Sequence, residues 1–202
     1  MTAMHSYATD SNERKIVPLI LFVVSVVFAW ILHQGLSYWA ITVPWWFDAP
    51  AVGGFYKLIY RQFDDRLWRT WLVRRVQLVR LPNLNGSWVG HVEPAAGDRA
   101  ARRDIRVEIA QTWSKIQIAF AGQDSTSKSL MAAVAVENPQ GPILSYEFLN
   151  EPRANAVDTM HPHRGLATLT LTSSSQSETL EGDYYTGRGR ETFGRIRLTR
   201  AS

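Results

Sequence analysis

Ile105-Arg106-Val107-Glu108-Ile109 decides the fold: three branched apolar side chains alternate with two charged ones, the period-two pattern of a strand with one buried face. The alternation continues on both sides. Ile116, Ile118 and Phe120 alternate with Lys115 and Gln117; Leu144, Tyr146 and Phe148 alternate with Ser145 and Glu147. Leu169 and Leu171 follow Ala167 with threonines between, and Ile196 and Leu198 alternate with Arg195, Arg197 and Thr199. Turn-forming clusters fall at residues 94–97, 122–127, 138–142, 150–163, 173–177 and 186–189, and further strands are expected near Gly86, Ser127 and Thr179. This predicts roughly eight short antiparallel strands in about 120 residues, as a sandwich or a closed up-and-down barrel. Glycines inside strands (Gly90, Gly182, Gly194) favour the barrel, because they permit sharp coiling. A mainly β domain is therefore expected over residues 81–202, with room for one small ligand in its mouth.

The first half has a different period. Ile16 to Leu32 carries no charge; its length of about 17 residues spans roughly 25 Å as a helix, close to the hydrocarbon thickness of a bilayer. Pro18 falls in the first turn, where its missing N–H costs little. No amphipathic stripe marks a soluble core helix, and no small-x-small cleavage pattern follows Leu32, so the reading is a retained membrane helix. Residues 1–15 are expected to be a flexible lead. A second stretch, Trp45 to Tyr60, is mostly apolar but includes Asp48, Pro50, a Gly53-Gly54 pair and Lys57. Trp39, Trp45 and Trp46 suit an interfacial aromatic belt, Lys57 can snorkel, and Ala49, Ala51, Gly53 and Gly54 leave space for a neighbouring helix. The expectation is a two-helix transmembrane α-hairpin over residues 16–62, with an interfacial or re-entrant second segment as the alternative.

Charge sets the orientation. No Lys or Arg occurs from His33 to Phe47, whereas six arginines (61, 66, 69, 74, 75 and 80) face Asp64 and Asp65 between Arg61 and Arg80. The rest of the chain balances, so this segment alone carries the formal net charge of +4. The alkaline isoelectric point is thus no sign of DNA or RNA binding. The positive-inside rule places the segment, a basic juxtamembrane stretch over residues 63–80, in the cytoplasm, with both termini and the β-domain. Trp68, Trp71 and Leu72 among the arginines suggest a helix lying against anionic headgroups, with a solvated charged linker as the alternative. The absence of cysteine excludes a disulfide framework and suits a reducing cytosol.

Several motifs then recur in a familiar order. Leu84-Asn-Gly-Ser-Trp-Val-Gly90 is followed by Gln111-Thr-Trp113 before Ile116-Gln-Ile118, and by His163 with Gly165. Leu180-Glu-Gly-Asp-Tyr-Tyr-Thr-Gly-Arg188 and Arg190-Glu-Thr-Phe-Gly194 close the series, while Ala49-Pro50 and Asp65-Arg-Leu-Trp68 precede it. Together they resemble the two-transmembrane, β-strand-rich effectors of bacterial cyclic-oligonucleotide antiphage (CBASS) systems. The resemblance spans nearly the whole chain. It implies a lipocalin-like barrel that senses a cyclic dinucleotide or related cyclic oligonucleotide. It also implies self-association into a homo-oligomer, damage to the lipid bilayer through the hairpin, and abortive infection.

Catalysis finds little support. No nucleophile elbow and no phosphate-binding glycine loop occurs. His161-Pro-His163 has only Asp158 as a nearby carboxylate, so a polar loop or barrel rim is preferred to a metal site. Neither an enzyme nor a cofactor is expected. Ligand contacts follow from parity: if Ile196 and Leu198 point inward, so do Thr192 and Gly194, and Leu144 and Phe148 carry Tyr146 and Asn150 with them. Ile109 likewise carries Gln111, and Leu180 carries Tyr184. Buried polar groups need partners, and several at one mouth suit a polar ligand with aromatic faces. The candidate ligand-binding residues are Gln111, Trp113, Tyr146, Asn150, Tyr184, Arg188, Arg190 and Thr192, the aromatics stacking bases and the arginines meeting phosphates. Plain barrel core is the competing reading of the aromatics, a solvated turn that of the arginines. Trp88 reads as packing that closes one barrel end. Two other functions stay open: a membrane-anchored lipocalin-like module for another small ligand, and a membrane-bound enzyme.

Overall fold

The computed structural model describes residues 4–42, 44–95, 102–122, 124–154, 156, 160–174, 177–187 and 192–201. The chain divides into two compact units, Ser11–Arg80 and Met1–Asp10 with Leu81–Ser202.

In the first unit, α1 spans Glu13–Tyr38 and α2 spans Asp48–Asp65, followed by the short α3, Trp71–Arg75. The Ser11 hydroxyl accepts the Glu13 N–H at 3.1 Å where α1 starts. Ala40, at φ 56°, ends it: the Ile41 N–H returns to the Leu36 carbonyl at 3.1 Å and the Ala40 N–H to Ser37 at 3.0 Å. Val17, Leu21, Ser25 and Ala29 make a buried stripe at four-residue spacing, while Leu19, Phe22, Val23, Val27 and Trp30 on the remaining faces stay exposed. Among the described residues α1 is the one helix long and apolar enough to cross a membrane. α2 packs on it, with the Phe28 and Phe55 rings 5.8 Å apart and His33 Nδ1 2.9 Å from Asp48 Oδ1. The expected tight approach at Gly53-Gly54 is not formed, since an added Cβ at either would meet nothing within 4 Å. Trp68, expected at a lipid surface, is buried, whereas Trp71 and Leu72 are exposed.

The second unit is the expected mainly β fold, a closed barrel. Its strands are β1 His5–Thr9, β2 Gly86–Pro94, β3 Arg103–Gln111, β4 Lys115–Ala121, β5 Ser125–Ala135, β6 Ile143–Pro152, β7 His163–Ser173, β8 Glu178–Thr186 and β9 Phe193–Arg200. They close in the order β1-β4-β3-β2-β9-β8-β7-β6-β5, through antiparallel pairs except for a parallel β1–β5 contact. The alternation holds in most strands: Val107, Ile109, Leu144, Leu169, Leu171, Ile196 and Leu198 are buried, and Arg106, Glu108, Arg195 and Arg197 are exposed. Gln117, expected on the polar face, is buried with Ile116 and Ile118, its amide against Ser129. At Gly90, a Cβ would collide with the Arg197 carbonyl of β9, so close coiling there admits no side chain.

The barrel has nine strands among the described residues, against the eight expected, and the extra one comes from the supposed flexible lead. β4 and β5 pair directly at Ala119↔Lys128, Phe120↔Ser127 and Ala121↔Thr126, then diverge. β1 fills the fork, pairing His5↔Ile116 and Ser6↔Lys115 on one side and Tyr7↔Ala132, Ala8↔Ala133 and Thr9↔Val134 on the other. A five-residue strand with one buried side chain, Tyr7, is too short for periodicity to register. Its order is imposed by partners more than a hundred residues away in sequence.

One barrel end is packed solid. Trp88, Leu84, Ile116, Leu180 and Leu198 are fully buried there; the Trp88 indole N–H donates to the Leu84 carbonyl at 2.9 Å. The Arg200 guanidinium lies 4.9 Å from the Trp88 ring and donates to the Asn83 carbonyl.

Candidate functional site

The opposite end is open. The ends of β2, β4, β6 and β8 and the starts of β3, β5, β7 and β9 surround a cavity of about 590 Å³, within the usual range for small-ligand sites. Its apolar wall includes Ile105, Val107, Phe120, Phe148 and Ile196, and polar side chains enter from Ser125, Ser127, Asn150, Thr186 and Thr192. Arg103, Asp104 and Asp124 stand at the rim.

Strand β6 supplies the centre of the site. Its pleat turns Tyr146, Phe148 and Asn150 to the same face, and Phe148 lies over Gly165 of β7, where a Cβ would strike its ring. The Tyr146 and Phe148 rings are 6.1 Å apart and tilted by 51°. Tyr146 is 8 % exposed, and burial pushes its phenol up to about 12, so it is a neutral hydrogen-bond donor at physiological pH. Its hydroxyl makes no hydrogen bond among the described residues. Asn150, 7 % exposed, has one weak side-chain contact, Nδ2 to the Met160 sulfur at 3.4 Å. An amide can donate twice and accept twice, so most of its capacity is free toward the cavity.

The two threonines do structural work as well. The Thr186 N–H donates to the Thr192 carbonyl at 2.8 Å, the Thr192 N–H to Thr186 Oγ1 at 2.9 Å, and the two hydroxyls lie 3.0 Å apart. They pinch the base of the β8–β9 hairpin. His163 Nδ1 lies 2.9 Å from the His161 carbonyl oxygen and faces the same cavity.

Of the candidate ligand residues, Tyr146, Asn150, Tyr184 and Thr192 meet at this mouth. Arg188, Arg190 and Asp158 lie outside the described residues. Gln111 and Trp113 are buried but do not line the cavity. Parity correctly turns Gln111 inward, yet it sits at the far end of β3 from Arg103, about 26 Å along the strand. There its side chain accepts the Leu84 N–H at 2.7 Å and donates to the Pro82 carbonyl and the Tyr7 hydroxyl, each at 3.3 Å, which makes it part of the closed end. Sequence reasoning missed Ser125, placed in a turn, and Ser127, placed at a strand start, as cavity residues; their alternation with buried Ser129 was the available signal.

A closed barrel with one packed end and one mouth of aromatic faces and free polar groups defines a small-ligand-binding barrel, here carried by a chain with a membrane-length apolar helix. The family model described as Cap15, cyclic dinucleotide receptor domain, matches residues 79–200. The chain is also 30% identical over 156 residues, 76% of its own length and 71% of the relative's, to CD-NTase-associated protein 15 of Yersinia aleksiciae. It belongs to this Cap15 family of CBASS effectors, as the order of its motifs implied.

Proposed function

We propose that the barrel mouth binds a cyclic dinucleotide and that binding makes the chain self-associate and disrupt the bacterial inner membrane through its helical unit, ending in abortive infection. The observation that carries this reading is the cavity itself: a neutral phenol and a buried amide with unused hydrogen-bonding capacity stand beside aromatic rings, in a chain of a family whose model bears a cyclic dinucleotide receptor's name. Bases enter first. Asn150 and Tyr146 meet their polar edges, Tyr184 and Phe148 their faces, each stack contributing about 1–3 kcal/mol. The described lining residues include one arginine, Arg103, and two carboxylates, Asp104 and Asp124, a balance that does not favour phosphate, so the phosphates are assigned to Arg188 and Arg190.

The chain acts by binding rather than catalysis. α1 crosses the bilayer and α2 returns, with Trp39 and Trp46, both exposed, at the far interface and both termini in the cytoplasm. The test is calorimetric titration of the full chain in lipid nanodiscs against 3′,3′-cyclic dinucleotides with every pairing of A, G, C and U, followed by dye release from vesicles. Saturable binding that triggers release is expected; no heat from any member refutes the ligand, and binding without release refutes the membrane step. Reporter fusions at residue 202 and near Tyr38 test the topology, and a periplasmic C-terminus overturns it.

A further inference from the structure

Strand β1 lies outside the 79–200 match, yet it closes the barrel. Its seat is built. Tyr7 is buried, and its hydroxyl donates to the Trp113 carbonyl at 3.0 Å. The Asp10 carboxylate accepts the Val136 N–H at 2.8 Å and the Glu137 N–H at 3.2 Å, and these two bonds hold its pKa below the usual carboxylate value. At the fork, where β5 bulges between Ser129 and Met131, Ser129 Oγ accepts the Ile118 N–H at 2.9 Å and meets His5 Nε2 at 2.8 Å. That hydroxyl occupies the place a β5 backbone partner leaves as the two strands separate.

Two features give this seat a regulatory meaning. Only Asp10, Ser11 and Asn12 separate Thr9 from Glu13, the first residue of α1, so the tether reaches at most about 14 Å. The strands that hold β1 also wall the cavity: Phe120 of β4 and Ser125 and Ser127 of β5 line it just beyond the fork. One pair of strands therefore bears both the ligand and the strap.

We propose that β1 is a restraining strap: seated in the fork it holds the start of α1, and ligand in the mouth reshapes the β4–β5 hairpin and loosens it. The proposal rests on the ligand reading above, which a separate control tests. Coupling of this kind is reciprocal, so a strap that ligand loosens must, when locked, oppose the ligand's effect.

The chain has no cysteine, and Ser6 and Lys115 are exposed register partners on β1 and β4. Their Cα separation in an antiparallel pair, about 4.5–5.5 Å, suits a disulfide. The full chain carrying Ser6→Cys and Lys115→Cys is reconstituted in phosphatidylethanolamine–phosphatidylglycerol vesicles with the same cyclic dinucleotide panel. Oxidised, it should still bind ligand but release under about a tenth of the reduced form's dye, with reductant restoring release. Asp10→Ala, an exposed change away from the cavity, should leak at about tenfold lower ligand concentration than the parent. Equal release by oxidised and reduced chains overturns the strap, as does failure of the disulfide to form without ligand. If the parent binds no member of the panel, the ligand reading fails alone. The strap is then judged by ligand-free leakage: greater for Asp10→Ala than for the parent and suppressed by the lock if it holds, equal for all three if it does not.

Discussion

Tyr146→Phe separates binding from stability, because the two should move in opposite directions. The phenol sits inside the barrel, 8 % exposed, and its hydroxyl has no hydrogen-bond partner among the described residues. A buried hydroxyl without a partner costs about 1–3 kcal/mol, less where cavity water reaches it. Its removal should therefore leave the unliganded chain as stable as before or raise stability by up to about 1 kcal/mol, a few degrees in Tm for a domain this size. In the complex the same hydroxyl donates to the ligand, a bond contributing about 0.5–1.5 kcal/mol, so affinity should fall about two- to thirteenfold. Alkaline titration gives a third reading. Burial raises the phenol to about 12 from its ordinary 10. Between those values the unfolded chain has lost the proton and the folded chain keeps it, so stability must fall as pH rises through that window. The parent should lose stability of order 2 kcal/mol more than Tyr146→Phe across it. Denaturant melts at pH 7 and above pH 10, with calorimetry on the nanodisc-bound chain, measure all three. A variant that loses more than about 1 kcal/mol at pH 7 would show that the hydroxyl is already bonded, and unchanged affinity would remove it from the ligand site.

Gln111→Ala should destabilise the barrel by about 1–3 kcal/mol in denaturant titration, since it orphans the Leu84 N–H, while the folded fraction binds ligand as before. Arg188→Ala or Arg190→Ala should weaken ligand binding roughly ten- to a hundredfold, the loss of one charge-assisted bond, with thermal melts unchanged. A chain cut to Leu81–Ser202 loses β1 and leaves the fork between β4 and β5 unfilled; hydrogen exchange should show faster exchange at Ile116 and at 132–137 than in the full chain, and equal protection would mean the seat adds nothing. Asp10 adds to the seat only as a carboxylate with a depressed pKa, so its contribution is present at neutral pH and is lost as pH falls through that value; the hydrogen exchange of Val136 and Glu137 should rise in acid for the parent and not for Asp10→Ala.

The barrel was legible because its signal is local. In Ile105-Arg-Val-Glu-Ile109 each side chain's face follows from its neighbours, and the register between β3 and β2 merely repeats that choice. The mouth was legible only in part, because period two encodes which way a side chain points and says nothing of its depth along the barrel. Gln111 and Asn150 both point inward, yet one ties down the closed end and the other faces the cavity. Depth is set by register, and register by turns and bulges such as the one between Ser129 and Met131. β1 was hidden for the converse reason: nothing local makes His5–Thr9 a strand, since Tyr7 bonds to Gln111, Thr112 and Trp113, more than a hundred residues away. A segment ordered wholly by distant partners is also the segment whose order responds most to changes in them. The property that conceals β1 from a reading of the sequence is therefore the one that fits it to report what happens at β4 and β5, the strands that the ligand cavity and the tether of α1 share.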